Sequence, residues 1–373
     1  MRTRAFVLAT ALALAGAACP ARADTPPSVW DKARDPSVSE HWALHLRVQH
    51  LLSSPRDDES DVRLEPKRDA ELRAEAALAL LEDVGAATSP DVRLRFDLGD
   101  VLYALARRSE RTDLYERAAR TLEGALALGP DASGSTEALD ELASCYGKLD
   151  RSREELETWH RLIPRLLDPR SRALDSYNMA EAEMRLGRVD DALGTLHDVL
   201  RQCAELPNTS STYVLTLWDV AIALDRSGDP RGALQTAVQA AQQSAIDSNG
   251  YLTTGRGLLK HDDGVYFVPA YERDWYLALG SEALSKQDKD PREAAAYLAE
   301  ALQEWDEYIT QATAAGAGAS APAGPREPDD AQRTAAAAFL RIARLRRDRV
   351  HAELTAAGKR LPGVRLRPPP EAD

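Results

Sequence analysis

The residues best suited to chemistry are gathered in GLLKHDDGVYFVPAYERDW, Gly257 to Trp275. Lys260, His261, Asp262 and Asp263 stand together there, flanked by Tyr266 and Phe267. A histidine beside two carboxylates could act as an acid/base pair or hold a metal. The local residue choice answers differently. GLLK and VYFV have strand character, and Gly264 after two aspartates suits a tight hairpin turn, where a residue must take positive φ. His261 and the two acids then belong to an exposed turn. The stretch is expected to be a hairpin clasp offering His261, Tyr266, Phe267, Tyr271 and Trp275, not a catalytic centre. His41 and His45 are one helical turn apart and could share a metal, but no third ligand stands at a useful spacing. The chain has no nucleophile motif, no Gly-rich phosphate loop, no Cys/His metal spacing and no haem attachment site. No cofactor, no metal and no enzymatic activity are expected.

What must position these residues begins with an export signal. MRTR is a short basic start, AFVLATALALAGAA is too short to span a bilayer, and Ala21-Arg22-Ala23 has the small-x-small form of a cleavage site. Residues 1–23 are therefore expected to be a signal peptide with Asp24 as the mature start, giving a periplasmic or secreted protein. The alternative is a lipoprotein acylated at Cys19, against which Gly16 stands where a larger aliphatic residue is usual. The chain carries 47 basic and 60 acidic residues, a net charge of −13. Such an acidic body repels phosphate backbones, so nucleic acid is excluded as a partner. Cys145 and Cys203 are far apart in sequence and read as small apolar core residues or, in an oxidising compartment, as a pair.

Composition favours helix throughout: Ala, Leu, Arg, Asp and Glu dominate, with few aromatics. The helices also repeat. MAEAEMRLGRVDDALGTLHDVL and VAIALDRSGDPRGALQTAVQAA each place a glycine (Gly187, Gly228) after an amphipathic stretch and an alanine five residues later (Ala192, Ala233). Glycine can end a helix in a left-handed conformation, and a small alanine lets a second helix approach the first. LASCYGKLDRSREELETWHRLIPRLLDP follows the same frame, with Asp150 in the glycine place and Glu155 in the alanine place. FDLGDVLYALARR with LYERAARTLEGALALGP, and DWYLALGSEALSKQDKDPREAAAYLAEAL, supply further pairs. This frame resembles the tetratricopeptide repeat (TPR), in which small residues stand where two helices cross and a proline follows the second. The resemblance runs over roughly residues 92–310 and implies an all-α, irregular TPR-like α-solenoid that binds peptides with the first helix of each pair.

Helical spacing separates the faces of those first helices. Leu217, Val220, Ala221 and Leu224 form an apolar stripe expected in the core. The adjoining stripe holds Trp218, Ile222 and Asp225, matched by Tyr177, Glu181 and Met184 and by Asp140, Ser144 and Gly147. Trp218 and Tyr177 belong either to the core or to the groove. Lys148, Arg185 and Arg226 end successive first helices, where a cation complements the macrodipole. Stacked, they could instead form a column that receives acidic side chains. The candidate partner-binding set is therefore Asp140, Lys148, Tyr177, Glu181, Arg185, Trp218, Ile222 and Arg226. Chaperone-binding members of the family use a lysine and asparagine clamp. Asp140, Tyr177 and Trp218 stand where that lysine would fall, so the activity is not carried over.

The expected organisation is capping helices over 24–91, repeats over 92–310 with a β-hairpin insertion near 250–269, and a disordered Ala/Gly/Pro-rich linker over 311–328. A basic C-terminal helix over 329–358 and a tail over 359–373 complete it. Arg341, Arg344, Arg346, Arg347 and Arg349 crowd that helix, which could dock on the acidic body or make a weak contact with an anionic surface. The expected function is a non-catalytic interaction scaffold of the cell envelope, holding a protein or peptide segment in the groove. The alternatives are an envelope-anchoring subunit working through the basic helix and, third, a helical-toroid enzyme.

Overall fold

The computed structural model describes residues 36–53, 67–206, 210–247, 250–261, 265, 267–316 and 330–360. The expected signal peptide with Cys19, the residues Asp262, Asp263, Gly264 and Tyr266, and most of the expected linker and tail lie outside them. The chain divides into two compact units, Met1–Leu46 and Arg47–Asp373. The described part of the first is the start of α1 (Pro36–Leu52), where Trp42 stacks on His45 with ring centroids 5.3 Å apart. His41 and His45 lie 6.0 Å apart by centroid. Among the described residues, no group of three or more His, Cys, Asp or Glu side chains is placed to hold a metal.

In the second unit, α2 (Lys67–Asp83) precedes a series of helical hairpins. These pair α3 (Val92–Ser109) with α4 (Thr112–Leu128), α5 (Ser135–Lys148) with α6 (Ser152–Leu162), and α7 (Pro169–Arg185) with α8 (Val189–Glu205). Next, α9 (Ser210–Ser227) pairs with α10 (Pro230–Gln242). A two-stranded antiparallel hairpin, β1 (Ser244–Ile246) and β2 (Leu252–Thr254), and a short α11 (Gly255–His261) follow. The last pair is α12 (Glu272–Gln287) with α13 (Pro291–Gly316), and α14 (Asp330–Arg360) ends the described chain. This is an all-α array of TPR-like helical hairpins with one small β-hairpin. Among the described residues, no helix is long and apolar enough to cross a membrane.

Local chemistry sets the turns. Gly187 and Gly228 take φ of 75° and 95°, the left-handed conformation that ends a first helix. Asp150 takes the same conformation at φ 56°, which explains why aspartate can replace glycine there. Ala192 and Ala233, where the paired helices cross, are fully buried. Glu155 fits the alanine place of its pair because Gly147 faces it: a Cβ on Gly147 would lie 3.1 Å from the carboxylate. Asp-Pro-Arg starts three helices by one device. Asp168 Oδ2 accepts from Ser171 N at 3.0 Å, Asp229 Oδ1 from Gly232 N at 2.9 Å, and Asp290 Oδ1 from Arg292 N at 2.8 Å. Each proline takes a first-turn position whose missing N–H costs nothing. Asp229→Ala is expected to lower stability by about 1 kcal/mol, read as a shift of the urea midpoint with unchanged slope.

Three expectations are corrected. GLLK is not a strand: Gly257–Lys260 lies in α11, where Thr254 Oγ1 caps the helix by accepting from Gly257 N at 3.1 Å. Leu258 and Leu259 are buried by it, which an exposed hairpin arm would not achieve. The hairpin is instead formed by Ser244–Ile246 and Leu252–Thr254, with Asp247 Oδ1 accepting from Tyr251 N at 2.8 Å and Gly250 at φ 85°. His261 therefore ends a helix and is not in the strand turn, and the described part of VYFV forms no strand. Finally, residues 311–316 continue α13 and do not open the linker.

Candidate functional site

Successive first helices approach one another more closely than the second helices do: α3 meets α5, α7 meets α9, and α9 meets α12. They therefore line the inner face of the array. That face has two parts with opposite fates.

Its N-terminal part, on α3, α5 and α7, is acidic and accessible. Asp140 is exposed, and Asp100, Tyr103, Glu141, Ser144 and Lys148 are half-buried. Asp100 accepts from Gln49 Nε2 at 2.9 Å and shares a hydrogen bond with Glu141. Burial, followed by the charges of Asp100, Asp140 and Glu137, holds the Glu141 carboxyl well above its ordinary pKa. Burial and Glu137 raise Asp140, with Arg107 opposing. Asp175, buried at the start of α7, is pushed up to about 7 by burial and by Asp140. Tyr103 shares a hydrogen bond with Ser144 and lies edge-on to Tyr115, with centroids 6.2 Å apart. Arg107 stands 5.8 Å above the Tyr103 ring. Burial lowers the pKa of Lys148 while Glu110 and Glu181 support its charge. These carboxylates are crowded by one another more than they are neutralised.

The C-terminal part is filled by the chain itself. Trp218 is fully buried, donating from Nε1 to the Gly255 carbonyl at 3.0 Å, and its ring lies against Gly280. Ile222 is likewise fully buried. Tyr276 donates to Asp219 Oδ1 at 2.6 Å, and Tyr177 donates to Glu181 Oε1 at 3.1 Å. Glu181 is pushed up to about 7 by burial, which outweighs the nearby Arg185. Phe267 packs edge-on against Tyr276 and Tyr271 against Tyr308. Trp275 has no exposure and contacts Trp305, Tyr308 and Phe339 edge-on.

Across the ends of the first helices lies α14. Gln332 donates to Asp150, and Ala335 Cβ comes 3.1 Å from the position a Gly187 Cβ would occupy. Arg346 forms ion pairs with Asp225 and, at 3.1 Å, with Glu282; all three side chains are nearly inaccessible. Asp225 also accepts from Trp275 Nε1 at 3.2 Å, and Glu282 accepts from Trp305 Nε1 at 2.8 Å and Arg349 at 2.6 Å. Lys286 pairs with Glu353.

Most of the expected partner-binding residues therefore take other roles. Trp218, Ile222 and Tyr177 are in the core because α12 and the segment before it pack on their face. Arg185 pairs with Glu155 at 2.5 Å and donates to Ser152 Oγ at 3.1 Å. Arg226 pairs with Glu272 and is flanked by the Trp275 and Phe339 rings, 4.6 and 4.1 Å away. Arg185 and Arg226 consequently join neighbouring helices and form no open basic column with Lys148. Asp140 remains exposed, Glu181 and Lys148 half-buried. Of the clasp residues, His261 is exposed, Phe267 and Tyr271 pack on the core, and Trp275 lies inside it. Cys145 and Cys203 are both buried, and burial pushes the Cys145 thiol up.

Helical spacing does not single out Asp100, Tyr103, Glu141 and Asp175, although Glu141 adjoins the candidate Asp140. It also passes over Glu282, an acid in the otherwise apolar run LALGSEAL, which is itself a signal for a buried partner.

No family model and no curated protein matches the chain. Among solved structures, nearly identical TPR-like repeats of Podosopora anserina assigned to kinesin light chain are 19% identical, with a TM-score of 0.40. That match covers 54% of this chain and 93% of theirs. A Rap protein complexed with Competence and Sporulation Factor is 11% identical, with a TM-score of 0.41. It covers 87% of this chain and 91% of its own.

Proposed function

We propose that the chain is an exported, non-catalytic binding scaffold that holds a cationic peptide or protein segment on the N-terminal part of its inner face. The supporting observation is the crowding of Asp100, Asp140 and Glu141 with Tyr103 on a face that the other described residues leave accessible, where Asp140 also acts on the buried Asp175. Asp140, Glu141 and Asp175, raised chiefly by burial and further by neighbouring carboxylates, gain from a lysine or arginine brought among them, since an opposite charge favours their ionised form. Tyr103 adds an amphipathic ring suited to a hot spot. Export rests on the basic, apolar and small-x-small order of the first 23 residues. An anchoring role for α14 has less support, because Arg346 and Arg349 turn inward to carboxylates.

A photo-crosslinking side chain at Ser144, used in cells and followed by mass spectrometry, is expected to capture a Lys/Arg-bearing segment. The same group at Gly194, with open space around it, is expected to capture nothing in common. Asp140→Lys should weaken binding of the captured segment about tenfold and flatten its salt dependence. Equal capture at both positions, or affinity indifferent to Asp140→Lys, removes the reading.

A further inference from the structure

We propose that the seat of α14 is a second interaction surface, built to recognise an arginine-bearing amphipathic helix. In this view α14 is its resident ligand, which a partner's helix of the same pattern displaces. The proposal concerns a different part of the inner face from the cationic-segment site and does not depend on it.

The pattern can be read from the contacts. Ala335, Phe339, Ala343, Arg346 and Val350 form one helical stripe, and every member is buried. Three of them, Ala335, Phe339 and Arg346, meet distinct receptor features. Ala335 meets the turn glycine Gly187, its Cβ 3.1 Å from where a Gly187 Cβ would stand, so the two backbones approach closely and a larger residue at 335 would be crowded. Phe339 lies over the Arg226 guanidinium at 4.1 Å and edge-on to Trp275 at 6.3 Å. Arg346 enters between Asp225 and Glu282, with Arg349 on the second carboxylate at 2.6 Å.

The receptor groups also have contacts of their own, apart from those with α14. Trp275 Nε1 orients Asp225 at 3.2 Å, and Trp305 Nε1 orients Glu282 at 2.8 Å. Arg226 is held by Glu272, whose other oxygen accepts from Tyr308 at 3.4 Å. Two oriented, buried carboxylates favour a guanidinium: its rigid planar fork offers five donors and serves both at once, whereas an ammonium offers three on a flexible stem and is costlier to dehydrate. An apolar helix would leave them unpaired. The seat is thus selective for arginine at one register and for a small residue eleven positions earlier. The outward side of α14 carries exposed Arg341, Arg344 and Leu345, so its inward and outward stripes differ in kind.

The test uses the full-length protein with a protease site placed among residues 317–329, cleaved after folding. A fluorescent peptide of residues 330–360 is added, and its anisotropy is followed with and without an unlabelled competitor. The proposal expects the labelled peptide to replace the nicked α14, and the Arg346→Ala peptide to compete at least 100-fold more weakly. It also expects Arg346→Lys to compete at least tenfold more weakly, and the uncleaved protein to bind far less label because its own helix is tethered. Circular dichroism of the nicked protein during exchange checks that the hairpins stay folded. The proposal is overturned if the nicked α14 never exchanges, if the hairpins unfold when it leaves, or if the alanine peptide competes as well as wild type. Light scattering showing that intact chains trade α14 to form dimers would also overturn it, by making a second copy the occupant.

Discussion

Arg346→Met is expected to lower the stability of the protein by about 3–5 kcal/mol. The guanidinium sits between Asp225 and Glu282, and the three side chains are 4%, 1% and 1% exposed. Methionine fills a similar volume, so the loss comes from charge, not from a cavity. Asp225 would keep only the Trp275 N–H, and Glu282 only Trp305 and Arg349. An uncompensated buried carboxylate is costly, whereas a whole ion pair replaced by neutral groups can be nearly free. Arg346→Met combined with Asp225→Asn should therefore recover a large part of the loss, measured by urea unfolding at neutral pH. Additive damage in the double variant would mean that Arg346 acts by packing alone. Arg341→Met, on the exposed side of the same helix, should change stability by less than about 0.5 kcal/mol.

The second large effect is a fall in stability as pH rises from about 5 to 8.5. Glu304 is pushed up to about 8, mainly by burial and then by Glu300, with Ser281 donating to it at 2.9 Å. Asp175 and Glu181 are pushed up to about 7, and Asp274 to about 6, in each case chiefly by burial. Near pH 4 these groups are protonated in the folded chain and largely so in the unfolded one. As pH climbs toward each folded value, the folded chain keeps protons that the unfolded chain has released, so stability falls. Above about pH 8 the loss from these groups is complete. Glu300 acts in the opposite sense: burial opposes its ionisation, but Lys260 and Arg256 overcome it and lower its pKa. Its contribution is lost on acidification. A maximum near pH 5 is expected in thermal unfolding. Since a tenfold change in proton affinity is worth about 1.4 kcal/mol, the rise of Glu304 to about 8 is worth on the order of 4–5 kcal/mol, and Glu304→Gln should add a few kcal/mol at pH 8.5 and about 1 kcal/mol at most at pH 5. A wild-type profile that rises through this range would contradict the assignment.

Glu304 also shows why pattern reading stops where it does. Helical spacing identifies which residues share a stripe, but it assigns a stripe to core or solvent by the average polarity of its members. Glu282, Glu304 and Asp225 are acidic residues, yet all are buried, because each meets a donor from a helix distant in sequence. No local rule contains that partner. The same limit explains Trp218 and Arg226: their stripe was legible, yet the segment that covers it comes from residues 255–276 and from α14. The error over GLLK had a different source. Leucine pairs suit strand or short helix equally, and the Thr254 cap together with the Asp247–Tyr251 contact decides for helix.

The sequence by itself determined the helical hairpins. Left-handed turn residues, small crossing residues and Asp-Pro caps act within a few positions of the chain, so their effects are written locally. It also determined the acidic balance of the body and the basic character of the last helix. Only the tertiary structure decided which part of the inner face stays accessible. That depends on long-range contacts, above all Arg346 reaching Asp225 and Glu282, whose desolvation is tolerable only when all three charges arrive together.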